Sequence, residues 1–126
     1  MYNNKIMERF MKPIYVGEMK DADAIGEVGN VKCGDIMRIY IKIGKNEKDE
    51  EIIKDIKFKT YGCVTAIVAT DFLCEMVLGM KLEDAAKITG KDIATNMGDV
   101  PEIKFHCSIL AQNALRKAIE EHKKEK

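Results

Sequence analysis

The hydrophobic pattern of the chain changes its period near residue 63, and this change constrains the fold more than any other feature. Apolar and polar residues alternate from Asp35 to Ile43 and again from Glu51 to Thr60, and a period of two is typical of half-buried strands. The short charged turn between these segments predicts an antiparallel hairpin. From Cys63 onward apolar residues recur every three or four positions, which predicts a helix that ends near Leu78, before Gly79.

Each alternating segment has an apolar face that we expect to lie against the core. That face carries Met37, Ile39, Ile41 and Ile43 in the first strand and Ile52, Ile56 and Phe58 in the second. The opposite face carries Arg38, Tyr40, Lys42, Asp55, Lys57 and Lys59. Because this second face is polar, we expect helices to cover the sheet on one side only.

Further elements are predicted before and after the hairpin. A short helix over Ile6–Met11 ends before Pro13, because proline disfavours the helical conformation at the residue that precedes it. A first strand is expected around Ile25–Val31, and a short helix over Leu82–Lys87.

The last third of the chain is predicted to contain two more helices. Thr89 and Asp92 have the spacing of a capping box for a short helix, a loop follows over Met97–Phe105, and a last amphipathic helix begins at about Ser108. The apolar face of that helix carries Leu110, Ala111, Ala114, Leu115, Ala118 and Ile119. Strands that precede most of the helices predict the α+β class, with a small three-stranded antiparallel sheet and helices packed on one face.

Length and charge exclude several kinds of protein. A chain of 126 residues fits one domain. Its 21 basic and 21 acidic side chains cancel, which argues against a nucleic-acid-binding protein, since those carry a basic excess. No segment is apolar enough to cross a membrane, and the first residues lack the apolar core of a signal peptide. We therefore expect a cytoplasmic protein with reduced thiols.

The four cysteines show no C-x-x-C spacing, so any metal site must be assembled from distant segments. The alternative is that they are small buried apolar residues. Cys74 lies 11 residues after Cys63 in the same predicted helix, which places it about 16 Å further along that helix. That separation is too large for a shared metal site, and Cys74 is therefore predicted to fill the core.

The other three cysteines lie where predicted elements begin. Cys33 precedes Asp35 by two residues at the edge of a strand, and Cys63 opens the long helix. Cys107 opens the last helix and follows His106. A helix N-terminus lowers the pKa of a thiol, and an imidazole can bind metal.

Three charged or titratable residues near these positions have ordinary alternative explanations. Asp35 could reach solvent or cap a turn at the end of its strand, and Lys104 could be a solvated loop residue. His122, in the charged C-terminal turn, is predicted to be a solvated residue at a helix end.

Three short motifs in this order resemble those of a known family. They are Cys33-Gly34-Asp35, Gly62-Cys63 and His106-Cys107-Ser108, and they are similar to the motifs of the iron–sulfur cluster assembly scaffolds of the IscU and NifU N-terminal type. The resemblance covers nearly the whole chain and implies a single IscU/NifU-like domain over residues 1–126. It also implies a scaffold, not a turnover enzyme, on which clusters are built from iron and sulfur and then transferred to apo-proteins.

The resemblance implies a ligand set for the cluster. Three thiolates, from Cys33, Cys63 and Cys107, would be completed by Asp35 or His106. Clusters are usually held by four thiolates, and a harder oxygen or nitrogen ligand binds less well, which suits a cluster that must be released. A [2Fe–2S] cluster is expected. Zn²⁺ accepts the same four-ligand set, so purified protein can carry zinc.

The resemblance also implies partners. A cysteine desulfurase would supply persulfide sulfur, with Cys107 as the first candidate acceptor and Cys63 as the second. Apo-proteins would receive the cluster, and a ferredoxin or a frataxin-like protein is a further candidate. Glu102 stands where the family's chaperone-recognition segment has a second proline, which argues against a dedicated Hsp70-type chaperone. Neither nucleic acid nor a membrane is expected, and the protein is expected to be a monomer or a dimer.

Three other functions compete with this one. A zinc-binding sulfur-transfer protein would use the same residues without holding iron. A thiol hydrolase would use Cys107 or Cys63 with His106, but neighbouring side chains on an extended segment point apart, so the base would not reach the nucleophile. The last alternative is a small α+β interaction domain whose cysteines have no shared role.

Overall fold

A computed structural model describes residues 4–30, 35–61, 64–97 and 105–124 of the chain. For Asp35, His106 and Cys107 it describes the backbone only. In chain order the elements are α1 (Asn4–Met11), β1 (Ala24–Asn30), β2 (Asp35–Lys45), β3 (Glu51–Thr60), α2 (Val64–Val77), α3 (Leu82–Ala85), α4 (Gly90–Met97) and α5 (Phe105–Lys124).

The three strands form one antiparallel sheet in the order β1-β2-β3. Asn30 pairs with Asp35 where β1 ends and β2 begins, and Met37 pairs with Thr60 where β3 ends. Helix α5 packs on β1 and β2, and helix α2 packs on β3. The predicted α+β class, with a three-stranded antiparallel sheet and helices, is confirmed.

The core faces of β2 and β3 agree with the prediction except at one position. Ile53 is fully buried and Ile52 is only half-buried, so the assignment of Ile52 to the core was wrong. Lys42 pairs with Asp55 but Ile43 pairs with Ile53, which leaves Lys54 as an extra residue on β3. An extra residue of this kind, a β-bulge, reverses the face on which the preceding side chains lie.

Tyr40 is a second departure from the alternating pattern. Its side chain lies on the face opposite to Ile39 and Ile41, yet only 5% of the residue is exposed. Its cross-strand partners on that face are Ile25 and Lys57. Large side chains directly opposite one another in a sheet are close enough to cover each other, so an aromatic ring can be buried on the polar face.

The first strand lies very close to the last helix at Gly26. A Cβ atom added to Gly26 would lie 2.1 Å from the carbonyl oxygen of Ala114 and 2.5 Å from the backbone nitrogen of Ala118. Backbone meets backbone at this point, so the sequence needs glycine on the strand and alanine on the helix. This contact fixes the position of α5 over β1.

Most predicted helix ends are confirmed, with four differences in extent, of which the first is that α1 begins at Asn4 instead of Ile6. Gly79 has a φ of +88° directly after the turn that ends α2, as expected for a glycine C-cap. Helix α3 ends at Ala85 instead of Lys87, α4 continues to Met97, and α5 begins at Phe105, three residues before Ser108. His106 and Cys107 therefore lie within the helix, and the prediction that His106 precedes it on an extended segment was wrong.

Candidate functional site

Three of the five predicted ligands belong to the described residues, and each lies at the start of an element. Asp35 is the first residue of β2, and His106 and Cys107 are the second and third residues of α5. Cys33 and Cys63 lie outside the described residues, as does Lys104; Cys63 directly precedes Val64, the first residue of α2. The relative placement of the predicted ligands follows from the backbone of the described segments that contain them or lie within two residues of them.

The N-terminal end of α5 lies at the end of the sheet where β2 begins. At the other end of this helix, the Nε2 atom of His122 lies 2.7 Å from Oε2 of Glu51, the first residue of β3. A helix of 20 residues extends about 30 Å. Phe105, His106 and Cys107 therefore lie toward the opposite end of the sheet, where β1 ends and β2 begins.

Helix α2 has the same orientation as α5. Just beyond its C-terminus, the amide of Gly79 donates a hydrogen bond of 2.8 Å to the carbonyl oxygen of Ile53, near the start of β3. Further toward its N-terminus, the hydroxyl of Thr70 lies 3.0 Å from Sδ of Met37, near the start of β2. The first turn of α2, which follows Cys63, therefore points to the same end of the sheet as α5.

The segment that precedes Cys63 is held next to Asp35. The amide of Tyr61 donates a hydrogen bond of 3.1 Å to the carbonyl oxygen of Ile36, and the hydroxyl of Thr60 donates one of 2.7 Å to the same oxygen. Tyr61 is two residues before Cys63, and Ile36 directly follows Asp35. The chain on the N-terminal side of Cys63 is thus anchored one residue from a predicted ligand.

We call this end of the sheet the ligand end; it is formed by Asn30, Asp35, Thr60, Val64 and Phe105. Two helices of 14 and 20 residues have their N-termini here. Each N-terminus carries a partial positive charge, which favours the thiolate over the thiol. The ligand end therefore suits a site built from cysteine thiolates.

The polar side chains at this end pair with one another. Arg38 contacts Glu27 at 2.7 Å, and Lys59 contacts Glu18 at 2.5 Å. Hydrogen bonds to Tyr40 and Glu27 raise the pKa of Arg38. The hydrogen bond from Lys59 lowers the pKa of Glu18. Tyr61 is 74% exposed beside them, so an aromatic side chain is open to solvent next to the predicted site.

Among the side chains that the structure describes, no group of three or more histidine, cysteine, aspartate or glutamate residues could hold a metal ion.

Cys74 is confirmed as a core residue. Its side chain is fully buried, and burial, with a contribution from Asp71, raises the pKa of its thiol well above the ordinary value. A thiol in this state is neither a good nucleophile nor a good metal ligand. The burial of Cys74 therefore agrees with its exclusion from the predicted ligands.

The prediction for His122 was wrong. Its side chain is only 13% exposed and bonds to Glu51, which is 71 residues away in the sequence. The long-range docking of α5 beside the hairpin brings these two residues together, and no local pattern could reveal it.

The hydrolase alternative gains nothing from the corrected position of His106. Cys107 and His106 are consecutive residues of a helix, and consecutive helix positions do not face each other. A base and a nucleophile at these two positions would not point toward a common substrate atom.

Sequence analysis also missed a buried carboxylate. Asp71 is fully buried in α2 and bonds to Arg9 and to the backbone of Ile14 and Tyr15. The only signal was an acidic residue inside an apolar helical segment. Its partners lie 56 to 62 residues earlier in the chain, so their identity was not accessible from the sequence.

Comparison with known proteins identifies the family. The family described as "NifU-like N terminal domain" matches residues 1–126. The chain belongs to this family. It is 46% identical over 119 residues to "Iron-sulfur cluster assembly scaffold protein IscU 1" of Archaeoglobus fulgidus, a match that covers 94% of this chain and 74% of the relative. It is 40% identical over 124 residues to "Nitrogen fixation protein NifU" of Trichormus azollae, covering 94% of this chain and 40% of that longer protein.

Solved structures show the same fold. A putative iron–sulfur cluster assembly scaffold protein for the SUF system from Fervidobacterium islandicum matches with a TM-score of 0.74 at 22% identity, covering 94% of this chain and 96% of the other. The N-terminal part of a NifU-like protein from Brucella abortus matches with a TM-score of 0.70 at 16% identity. In the described part of the chain, no helix is long and apolar enough to cross a membrane.

Proposed function

We propose that this NifU-like domain is a scaffold on which iron–sulfur clusters are assembled before transfer to apo-proteins. One structural observation carries the proposal. The described segments that contain the five predicted ligands, or lie within two residues of them, converge on the ligand end, although they are separated by up to 73 residues of chain. The 46% identity to a relative named as such a scaffold supports the same function.

The proposed ligands are Cys33, Cys63 and Cys107, with Asp35 or His106 in the fourth position. Three thiolates match the preference of iron–sulfur clusters for sulfur. The carboxylate or imidazole binds less strongly than a thiolate would. A cluster with one weaker ligand is bound firmly enough to assemble and can still be released. A scaffold that transfers its cluster to another protein requires both properties.

Sulfur is proposed to arrive as a persulfide on a cysteine desulfurase. The thiolate of Cys107 attacks the outer sulfur, the bond between the two donor sulfurs breaks, and the desulfurase cysteine leaves as a thiolate. The position of Cys107 in the first turn of α5 favours its thiolate form. Cys63, which directly precedes α2, is the second candidate acceptor for the same reason.

Reduction of persulfide sulfur to sulfide needs electrons that the scaffold does not supply. A ferredoxin is the proposed donor, and a frataxin-like protein is a further proposed partner. We propose a [2Fe–2S] cluster, a cytoplasmic location and no turnover chemistry of the protein's own. The replacement of a proline by Glu102 remains an argument against a dedicated Hsp70-type partner.

A zinc-binding sulfur-transfer protein is the second candidate, because three thiolates and one carboxylate or imidazole also suit tetrahedral Zn²⁺. Such a protein would accept persulfide at the same cysteines. It would not bind iron together with inorganic sulfide.

Anaerobic reconstitution separates these two functions. Purified protein, stripped of metal, is incubated with ferrous iron, sulfide and reductant and then desalted. We expect a coloured protein with visible circular dichroism and about two irons and two labile sulfides per site. A colourless protein that retains Zn²⁺ but no labile sulfide would favour the sulfur-transfer function instead.

A further inference from the structure

Residues 4–17, which we call the strap, lie across helix α2 and along the outer edge of strand β3. Helix α1 packs against α2. After Pro13 the strap pairs with β3 at a single point, where the amide of Phe58 donates to the carbonyl oxygen of Tyr15 at 3.0 Å and the amide of Gly17 donates to the carbonyl oxygen of Phe58 at 2.9 Å.

Most of the polar contacts between the strap and α2 meet at Asp71. Its Oδ1 atom accepts hydrogen bonds from the amides of Ile14, at 3.0 Å, and Tyr15, at 2.8 Å. Its Oδ2 atom lies 2.9 Å from Nη1 of Arg9. The carboxylate is fully buried, and a buried charge is tolerated only when it is paired and hydrogen-bonded. The strap supplies every one of these three partners.

Arg9 extends the same cluster along α2. Its Nη2 atom lies 2.9 Å from Oε2 of Glu75, and its guanidinium carbon lies 4.1 Å from the centre of the Phe72 ring. A guanidinium at this distance over an aromatic face is attracted by the ring. One arginine of the strap thus contacts about one turn of α2, from Asp71 to Glu75.

The strap has little stability of its own. An isolated helix of eight residues is unstable in water, and one pairing point on an edge strand does not hold a segment in place without further contacts. Ile6 of α1 is fully buried in the core, and Phe10 and Tyr15 pack against it. These apolar contacts form only while the strap is closed, so loss of the Asp71 contacts would shift α1 and residues 14–17 together toward release. The sheet does not depend on the strap in this way, because β2 is bonded to both of its neighbours along most of its length.

We propose that the strap opens and closes as one unit while the sheet and α5 stay folded, and that Asp71 is the polar anchor of the closed state. The open state exposes the β3 edge at Phe58 and the surface of α2 from Asp71 to Glu75. A protein that binds either surface would shift the chain toward the open state. This proposal does not depend on the cluster-assembly function.

Amide hydrogen exchange of the full-length, metal-free protein, followed by NMR, tests the proposal. The reporters are the amides of Ile14, Tyr15, Gly17 and Phe58, with the amides of β2 as the reference for the sheet. We expect the four reporters to share one protection factor, roughly 100-fold below that of β2 and insensitive to low denaturant, as for a local opening. Four reporters that exchange at the rate of β2 would overturn the proposal.

Two variants provide a matched comparison. Asp71→Asn destabilises only the closed state, so it should accelerate exchange of the four reporters and of β2 by the same factor, at least tenfold. Ile119→Val removes one methylene group from the buried face of α5, whose contacts persist in the open state. It should accelerate exchange of β2 by roughly fivefold and leave the four reporters unchanged.

These outcomes decide between local and global opening. If the strap opened only when the whole protein unfolds, Ile119→Val would accelerate both sets equally, and the proposal would be wrong. If Asp71→Asn left the reporters unchanged, Asp71 would not be the polar anchor of the strap. Arg9→Gln repeats the test if Asp71→Asn does not fold, and Glu75→Gln, at a side chain that is 46% exposed, should change the reporters by less than about threefold.

Discussion

At the scale of single residues, position within the fold decides what each cysteine can do. Cys74 was assigned to the core because it lies in the middle of an apolar helix, and its complete burial agrees. His122 and Asp71 were not assigned correctly because their partners, Glu51 and Arg9, are 71 and 62 residues away. Local sequence predicts burial well when it follows helical periodicity, but it does not predict which charged residue a distant segment will supply.

We expect Cys74 to resist alkylation in the folded protein. Burial raises the pKa of its thiol and blocks access to reagents. Iodoacetamide at pH 8 should modify Cys74 only after denaturation, and peptide mass spectrometry of native and denatured samples measures this. Modification of Cys74 at the rate of a free thiol in the native protein would show that its burial is not maintained in solution.

We expect Asp35→Ala to slow the release of a cluster to an apo-acceptor. The substitution removes either the weak fourth ligand or a route of access to the cluster. Visible circular dichroism follows the transfer, and Asp21→Ala is the control, since Asp21 pairs with Lys42 toward the other end of β2. Transfer by Asp35→Ala at an unchanged or higher rate would contradict this role.

At the scale of helices and strands, the sequence predicted each of the eight elements that the structure describes, with differences in their limits. The strand β3 was predicted with the observed limits, and β2 was predicted from its observed first residue, since alternation over many residues leaves little ambiguity. The burial of Ile53 was not predicted, because the extra residue Lys54 shifts the alternation of β3 by one position. The sequence contains no signal that reveals this shift. The start of α5 was missed because Phe105 and His106 carry no helix-start signal.

The contact between β1 and α5 gives a prediction about packing. Gly26→Ala should lower the free energy of unfolding by about 1–3 kcal/mol or more, because the new Cβ would overlap the backbone of Ala114 and Ala118. Gly44→Ala is the control, since there the atoms nearest to the new Cβ belong to the side chain of Lys54, at 3.1 Å or more, and not to the backbone of a helix. Urea titration of both variants measures the difference. Equal stability of the two would show that α5 can move away from β1 without cost.

The capping box of α4 gives a prediction about pH. The amide of Thr89 donates to Oδ2 of Asp92 at 3.0 Å, and the amide of Asp92 donates to the hydroxyl of Thr89 at 3.2 Å. The bond from the Thr89 amide, followed by the contribution of the Thr89 side chain, lowers the pKa of Asp92. A pKa that is lower in the folded state stabilises the protein at neutral pH, and this contribution is lost as the pH falls through the carboxyl range.

Thr89→Ala should therefore lower the free energy of unfolding by about 1 kcal/mol at pH 7. Asp92→Asn should remove part of the loss of stability that the unmodified protein shows between pH 5 and pH 3. Thermal unfolding at the two pH values measures both effects. A pH dependence that is identical with and without Asp92 would contradict the capping role of its carboxylate.

At the scale of the whole molecule, the ligand end exists only when the sheet, α2 and α5 are docked. The motifs predicted which residues are ligands. The sequence could not show that β2, α2 and α5 all begin at the same end of the sheet. That orientation depends on contacts such as Gly79 with Ile53 and His122 with Glu51, which join the far ends of the helices to the start of β3. The proposed site is therefore a property of the folded domain and not of any one motif.

The most direct test of the proposed function is the iron and labile-sulfide content of single-cysteine variants after anaerobic reconstitution. Alanine at Cys33, Cys63 or Cys107 should abolish the bound cluster, because two thiolates and one weaker ligand do not hold it. Alanine at Cys74 should leave about two irons and two sulfides per site, as in the unmodified protein. Loss of cluster from a folded Cys74→Ala variant, or its retention in all three of the other variants, would contradict the assignment of the site to the ligand end.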